Sequence, residues 1–517
     1  MKRLIALLLC LTLLLGSVGV WAYAAEAEGT DLPTVYVVGT GTGLIAPNPD
    51  GSVRRVYPIP LPDGFIETTV KENLDVFKRA FFTQQWDEFC VVLHDVFTPL
   101  FDEIRLDENG EAPNGSYSDV SWSRATLDGS KVGGKYPTSR YMFYYDWRMD
   151  PYKTAEILHG YIEDILAVTG ETQVNLVGRC LGACITAAYM EKYDGEHVKN
   201  YLLYAGALYG ATQCSKAFCG ELYLESGGIE RYVYDLELFT DEVLRDLLQS
   251  FVTLLRKTGG LDIAAWAVNN VYRQIVYKVI PPVVGETYGT FPGYWSMVAD
   301  RDYEKAKSIV FHDKNPDEWA NFLRIIDNYH YNVQVKTPEL FAHYRDMGIG
   351  LANIVKYGYQ TIPVTRNSDM LSDSMCCVED ASLGATTATI TGALKKSYLK
   401  TADAKYISPD KQIDASTCLL PERTWFIKNL EHTNFPACVE RLFDYILNDA
   451  GHTVRSSETY PQFLVYNEET QTLAPQTQDN CDTTARYRHT FFEALRRFVK
   501  ALYTFIRRLI ESKRAAA

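Results

Sequence analysis

The chain has 517 residues, of which 47% are hydrophobic and 22% charged, with a formal net charge of −14. That composition supplies a large core and fits one large α/β domain with insertions or two domains. The acidity excludes nucleic acid as the main partner, because a phosphate backbone calls for a basic surface.

Met1-Lys2-Arg3 is a short basic region, Leu4 to Val20 is an apolar run, and Ala22-Tyr23-Ala24 offers small residues at a cleavage site. The pattern predicts a signal peptide over residues 1–24 and a secreted, extracellular chain beginning near Ala25. Of 11 cysteines, Cys10 lies in the leader. The other cysteines do not form the dense framework of a small disulfide domain. Cys214 and Cys219 could close a small loop, and the adjacent pair Cys376-Cys377 leaves its partners open. No Cys-x-x-Cys occurs and the histidines do not cluster at ligand spacing, so neither a metal nor a cofactor is expected.

Thr34-Val35-Tyr36-Val37-Val38 reads as a buried strand running into the glycine-rich Gly39-Thr40-Gly41-Thr42-Gly43. A second strand, Arg140 to Tyr145, ends in Asp146-Trp147-Arg148, and Pro151 opens a helix. Val174 to Val177 is a third strand that enters Gly178-Arg179-Cys180-Leu181-Gly182, and a helix follows. Tyr201 to Tyr204 is a fourth strand. This alternation predicts an α/β fold with a mostly parallel sheet and helices on both faces, covering residues 30–450. A largely helical insertion over about 211–335 reads as a lid, strand returns over Ile354 to Val364, and Thr424 to Ile427 is the last good strand. Residues 451–485, rich in Thr, Gln, Asn and Pro, read as a linker or loose strand segment. Residues 486–514 form a basic amphipathic helix, with Phe491, Leu495, Phe498, Leu502 and Leu509 on one face and Arg496, Arg497, Lys500, Arg507 and Arg508 on the other. Such a helix suits an anionic membrane surface, or docks on its own acidic domain.

Gly-x-Cys-x-Gly between a strand and a helix is the pattern of a nucleophile elbow, which presents residue 180 at a helix N-terminus. There the helix dipole favours a thiolate. A structural cysteine in a Gly-rich turn is the competing reading. A nucleophile needs a base and an acid to orient it, and in this topology the acid precedes the histidine. His432 follows the last strand and is the expected base. Asp410, in the turn after a short Tyr406-Ile407 strand, is the expected acid, ahead of Asp414 and Asp403. The oxyanion hole is expected from the backbone N–H groups of Leu181 and of the Thr40-Gly41 segment.

These features together resemble the lecithin:cholesterol acyltransferase-like and phospholipase branch of the α/β-hydrolases, from about Pro33 to Ile446. The likeness is carried by the elbow, by Pro33 to Gly43, by Tyr145-Asp146-Trp147-Arg148, by Gly206-Ala207-Leu208-Tyr209-Gly210, and by Asp410-Lys411-Gln412-Ile413 followed by His432. The chain departs from the family in holding Cys180 where the family has serine, and Lys411 where glycine is usual. The resemblance implies Cys180 as nucleophile, His432 as base, Asp410 as acid, and Gly41 and Leu181 as oxyanion donors. It also implies a lipid or other acyl ester as substrate, and makes Asp146 and Arg148 a structural ion pair. Tyr294-Trp295 read either as lid residues near the acyl site or as ordinary lid packing. Two functions stay open: an acyl hydrolase or acyltransferase working through a thioester, and a hydrolase-fold binding protein that has lost turnover.

Overall fold

The computed structural model describes residues 28–61, 64–118, 127–235, 241–366, 368–482 and 484–515. The expected signal peptide therefore lies outside the described residues. The centre is an eight-stranded sheet. Its strands are β1 (Thr34–Val37), β2 (Tyr141–Phe143), β3 (Val174–Arg179), β4 (Val198–Tyr204), β5 (Gly350–Tyr357), β6 (Thr424–Lys428), β7 (Phe463–Asn467) and β8 (Thr472–Pro475). In space they run β8-β7-β6-β5-β4-β3-β1-β2. Every neighbouring pair is parallel except the edge pair of β7 and β8. The α/β class with a mostly parallel sheet is as the strand–helix alternation predicts.

The inner strands are apolar without alternation because helices cover both faces of the sheet. All six residues of β3 are buried. Helix α1 (Pro151–Thr169) starts on its proline, with the Asp150 carboxylate capping the N–H of Tyr152, and stops at Gly170 in the left-handed region. Helix α2 (Leu181–Lys192) is buried from Leu181 through Met190, so it is apolar all round, as a helix enclosed by other layers must be.

Between β4 and β5 the chain is helical from α3 (Thr212–Phe218) through α4 (Glu242–Lys257) and α5 (Gly260–Val279) to Thr337–Asp346. Pro281 and Pro282 break the run into a π turn over Ile280–Val284. Between β1 and β2 lie a small antiparallel sheet (Val53–Tyr57, Leu44–Pro47, Tyr117–Ser118) and a further helix, Asp87–Phe97, which packs beside α5.

One open expectation is decided and two are corrected. The segment 451–485 carries β7 and β8, because Phe463-Leu464-Val465-Tyr466 is a buried run that pairs with β6 and extends the sheet. Its polar average composition hides that run. Tyr406-Ile407 is no strand of the sheet: Ala404–Tyr406 is a 3₁₀ turn, and Ile407 makes an isolated bridge to Asp414. The strand expected over Ile354 to Val364 begins earlier and ends at Tyr357, with Gly358 at φ 113 turning the chain.

The terminal helix α7 (Phe491–Ala515) follows α6 (Ala437–Asn448), which closes the sheet layer. Helix α7 lies along α4, held by Arg497 to Asp246 at 2.7 Å and Arg508 to Asp241 at 2.6 Å. Among the described residues, no helix is long and apolar enough to cross a membrane.

Candidate active site

Cys180 stands between β3 and α2 with φ 52 and ψ −123. A side chain at positive φ is strained, costing about 1–3 kcal/mol. The turn is held by its surroundings: the Cys180 N–H donates to the carbonyl of Tyr204, and its own carbonyl accepts from Ala183 at 3.0 Å and Ala207 at 3.1 Å. Gly182 makes the turn possible, because a Cβ there would meet the Val37 carbonyl oxygen at 2.3 Å. The glycine-rich loop after β1 then passes directly over the thiol. A Cβ on Gly39 would sit 2.9 Å from the Cys180 Cβ.

That loop is pinned by the Tyr-Asp-Trp-Arg segment. The Tyr145 hydroxyl donates to the Val38 carbonyl at 3.0 Å, the Thr42 hydroxyl to the Tyr145 carbonyl at 2.8 Å, and the Trp147 indole to the Thr42 carbonyl at 3.1 Å. Arg148 pairs with Asp146 and reaches the carbonyls of Ile104 and Ser116, which is a structural role. Gly41 (φ 110) and the exposed Thr40 thus lie on a braced loop beside the elbow, and Leu181 opens α2.

The Cys180 thiol and the His432 ring each shift the other's ionisation, which puts them on the same side of the fold. His432 follows β6, as expected. The carboxylate that orients it is Asp373: its Oδ2 is 2.7 Å from His432 Nδ1, and its carbonyl accepts the His432 N–H at 2.8 Å. Asp373 is fixed in turn by the N–H groups of Cys376 at 2.7 Å and Met375 at 3.1 Å on its Oδ1. Asp410 is not the partner of His432. Its carboxylate accepts from Lys428 at 2.7 Å and Gln476 at 2.8 Å, so a buried lysine already engages it. Asp414 is likewise engaged, by the Tyr398 hydroxyl at 2.8 Å and the Ser416 N–H.

The electrostatics match a thiolate–imidazolium pair. A hydrogen bond from Cys376 holds the Cys180 thiol well below its ordinary value against burial, with His432 and Arg179 adding to the effect. Cys376, the donor, is pushed well above the thiol range by that same bond and by burial. Burial acts to lower His432, but Asp373 and Cys180 outweigh it and bring the imidazole up to about 9. Burial also opposes ionisation of Asp373, yet His432 keeps its carboxyl below the usual range.

Two buried basic side chains grip the loop that carries His432. Lys356, on β5, donates to the carbonyls of Glu431, His432 and Asn434 at 2.7–3.1 Å. Burial, with Arg179 nearby, pushes its ammonium down to about 7. Arg179 donates to the His432 carbonyl at 3.0 Å. Sequence reasoning missed Asp373, Cys376 and Lys356. The one available signal was that Asp373 follows the strand immediately before the histidine's strand.

An apolar cavity of about 160 Å³ lies between α3, α5 and Asp87–Phe97, lined by Phe89, Phe97, Phe218, Tyr288 and Tyr294 among others. Its wall includes Gln213 and Cys214. Gln213 donates to the carbonyl of Ser374, next to Asp373, and the Cys214 thiol feels the charge of Cys180. Trp295 does not line this cavity. It is buried among Phe218, Tyr303 and Phe311 with its indole on the Gly289 carbonyl. Cys214 and Cys219 are both free thiols, and Cys184 packs in α2 against the carbonyls of Ala207 and Ser296.

No protein-family model matches the chain, and comparison with curated proteins returns no match.

Proposed function

We propose that the chain is an acyl hydrolase or acyltransferase of α/β-hydrolase type that works through a Cys180–His432–Asp373 relay. The observation that carries this reading is the buried His432–Asp373 pair in electrostatic reach of Cys180, which stands at a strained strand-to-helix turn beneath a braced glycine loop. In the reaction, the Cys180 thiolate attacks the ester carbonyl carbon. The resulting oxyanion is met by the N–H groups of Leu181 and Gly41. As the tetrahedral species collapses, the C–O bond breaks and His432 gives its proton to the leaving alkoxide. A thioester remains on Cys180. Neutral His432 then takes a proton from water or an acceptor hydroxyl, which attacks the thioester and regenerates the thiolate.

The apolar cavity supports an acyl chain as the group transferred, and the helical segment between β4 and β5 serves as its cover. The test uses chromogenic esters of graded chain length. A burst of alkoxide release, together with an acyl adduct mapped to Cys180, supports the reading. Cys180→Ala should abolish both. Absence of turnover and of any adduct in the reduced protein would overturn it and favour a hydrolase-fold binding protein.

A further inference from the structure

Granted the acyl-transfer reading, on which this rests, we propose that the apolar cavity selects a short acyl chain carrying a hydroxyl near its carbonyl end, at C2 or C3, and that Gln213 accepts the hydrogen bond from that hydroxyl. The cavity holds about 160 Å³. Cavities of that size take up benzene, so there is room for roughly six carbon atoms. Cys214, Phe218 and Tyr294 on its wall belong to the main core, whereas Phe89, Ile275 and Val283 belong to a separate packed cluster. The cavity is thus the gap that two cores leave between them.

Two contacts tie one end of it to the catalytic residues. Gln213 donates its Nε2 to the carbonyl of Ser374 at 3.2 Å, one residue from Asp373. Tyr294 packs its ring on Trp147, 5.6 Å between centroids, and the Trp147 indole holds the glycine loop at Thr42. Gln213 therefore stands at the end where the acyl carbonyl must lie. Its side chain is only 2% exposed, and among the described residues nothing donates to its Oε1. A carbonyl can only accept, so Ser374 keeps the amide nitrogen turned toward it and leaves the oxygen as the free acceptor. Other polar groups on the wall are already spent. Asn269 exchanges both its amide bonds with the backbone of Leu224, and the Thr287 hydroxyl donates to the Val283 carbonyl.

A buried acceptor without a donor is costly, so a ligand that brings the donor is favoured over one that does not. An ammonium would lose its hydration in an apolar cavity, and an amide would bring a carbonyl needing a donor of its own. A hydroxyl on the chain has neither fault. It also needs no second polar partner from the wall, which a trapped water does.

The test compares para-nitrophenyl esters of hexanoate and of 2-, 3- and 6-hydroxyhexanoate on the full-length chain. Wild type should prefer the 2- or 3-hydroxy ester over hexanoate in kcat/KM by about 10-fold or more, and the 6-hydroxy ester should gain nothing. Gln213→Leu should bring that ratio to unity or below. The ratio is the readout because any disturbance of the Ser374 segment slows every ester alike. Equal rates for hexanoate and the hydroxy esters in wild type, or a preference that survives in Gln213→Leu, overturns the proposal. Should the variant not fold, preference for the 2- or 3-hydroxy ester over the 6-hydroxy ester in wild type decides alone. A chain that cleaves hexanoate without this preference loses only the proposal. A chain that cleaves none of the esters loses the acyl-transfer reading, and calorimetric titration with the free acids then decides the cavity: hydroxyhexanoic acid must bind more tightly than hexanoic acid.

Discussion

Asp373 meets His432 twice, by carboxylate Oδ2 to ring Nδ1 at 2.7 Å and by carbonyl to backbone N–H at 2.8 Å. The double contact fixes both the ring and the loop that carries it, so the two residues move as one unit. Asp373→Asn would keep the shape but present the wrong hydrogen-bonding group to Nδ1. We expect kcat to fall by about 10²–10⁴-fold with KM little changed, since loss of the orienting acid in related relays costs up to about 10⁴. Asp410→Asn is the control. It should leave kcat near wild type but destabilise the fold by about 3–5 kcal/mol, because the buried Lys428 ammonium loses its counterion and keeps only the Gln412 amide oxygen. Steady-state kinetics and urea unfolding on both variants separate the roles; a larger loss of kcat in the Asp410 variant would return the acid to that position.

The elbow is legible because it is local: a buried strand, two glycines flanking Cys180 and a helix lie within a few residues of one another. His432 is legible because it follows the last strong strand. The acid is not, because chain order says only that it falls between nucleophile and base. Several aspartates satisfy that condition, and Asp410 stands in a turn that looks suitable. What removes it is a tertiary contact, the ammonium of Lys428 arriving from the end of β6. The same limit hides Cys376, whose partner thiol comes from a distant strand end. Strands β7 and β8 escape notice because a short apolar run is diluted by the polar residues around it, whereas helix α7 declares itself by a sustained period.

Lys356 holds three carbonyls of the base-bearing loop from below. Lys356→Met keeps the length and apolar stem but frees those carbonyls. As a positioning residue, it should affect kcat by about 10-fold or more with KM nearly unchanged, since a small misplacement of the base is costly. Lys356→Arg should recover part of the loss. An unchanged kcat in the methionine variant would show that the loop holds itself.

Helix α7 spends part of its basic face on α4, through Arg497 and Arg508. Arg496, Lys500 and Arg507 stay exposed beside Phe492, Val499 and Tyr503. We expect the chain to sediment with anionic vesicles at low salt, and binding to fall as salt rises through the range where exposed charges are screened. Removing residues 486–517 should abolish it. Equal sedimentation of the two forms would mean that α7 serves only to pack on α4.

The pH dependence of turnover distinguishes a preformed ion pair from a base that must act on a neutral nucleophile. The active form has Cys180 as thiolate and His432 as imidazolium. Lowering the pH protonates the thiolate, so the acid limb should fall below the ordinary thiol range. Raising the pH removes the proton that His432 gives to the leaving alkoxide, so the alkaline limb should lie near 9. Cys180→Ser changes the sign of the histidine's task. A serine is nucleophilic only if neutral His432 takes its proton, so imidazolium becomes the inactive form. Removal of the thiolate also takes away one of the charges that raise His432, so its proton should leave at lower pH than in wild type. The serine variant should therefore show a single limb that rises with pH, at a rate lower by about 10²-fold or more, in place of the wild-type bell. A wild-type profile that itself rises as a single limb through the ordinary thiol range would overturn the ion pair and leave Cys180 as a conventional thiol.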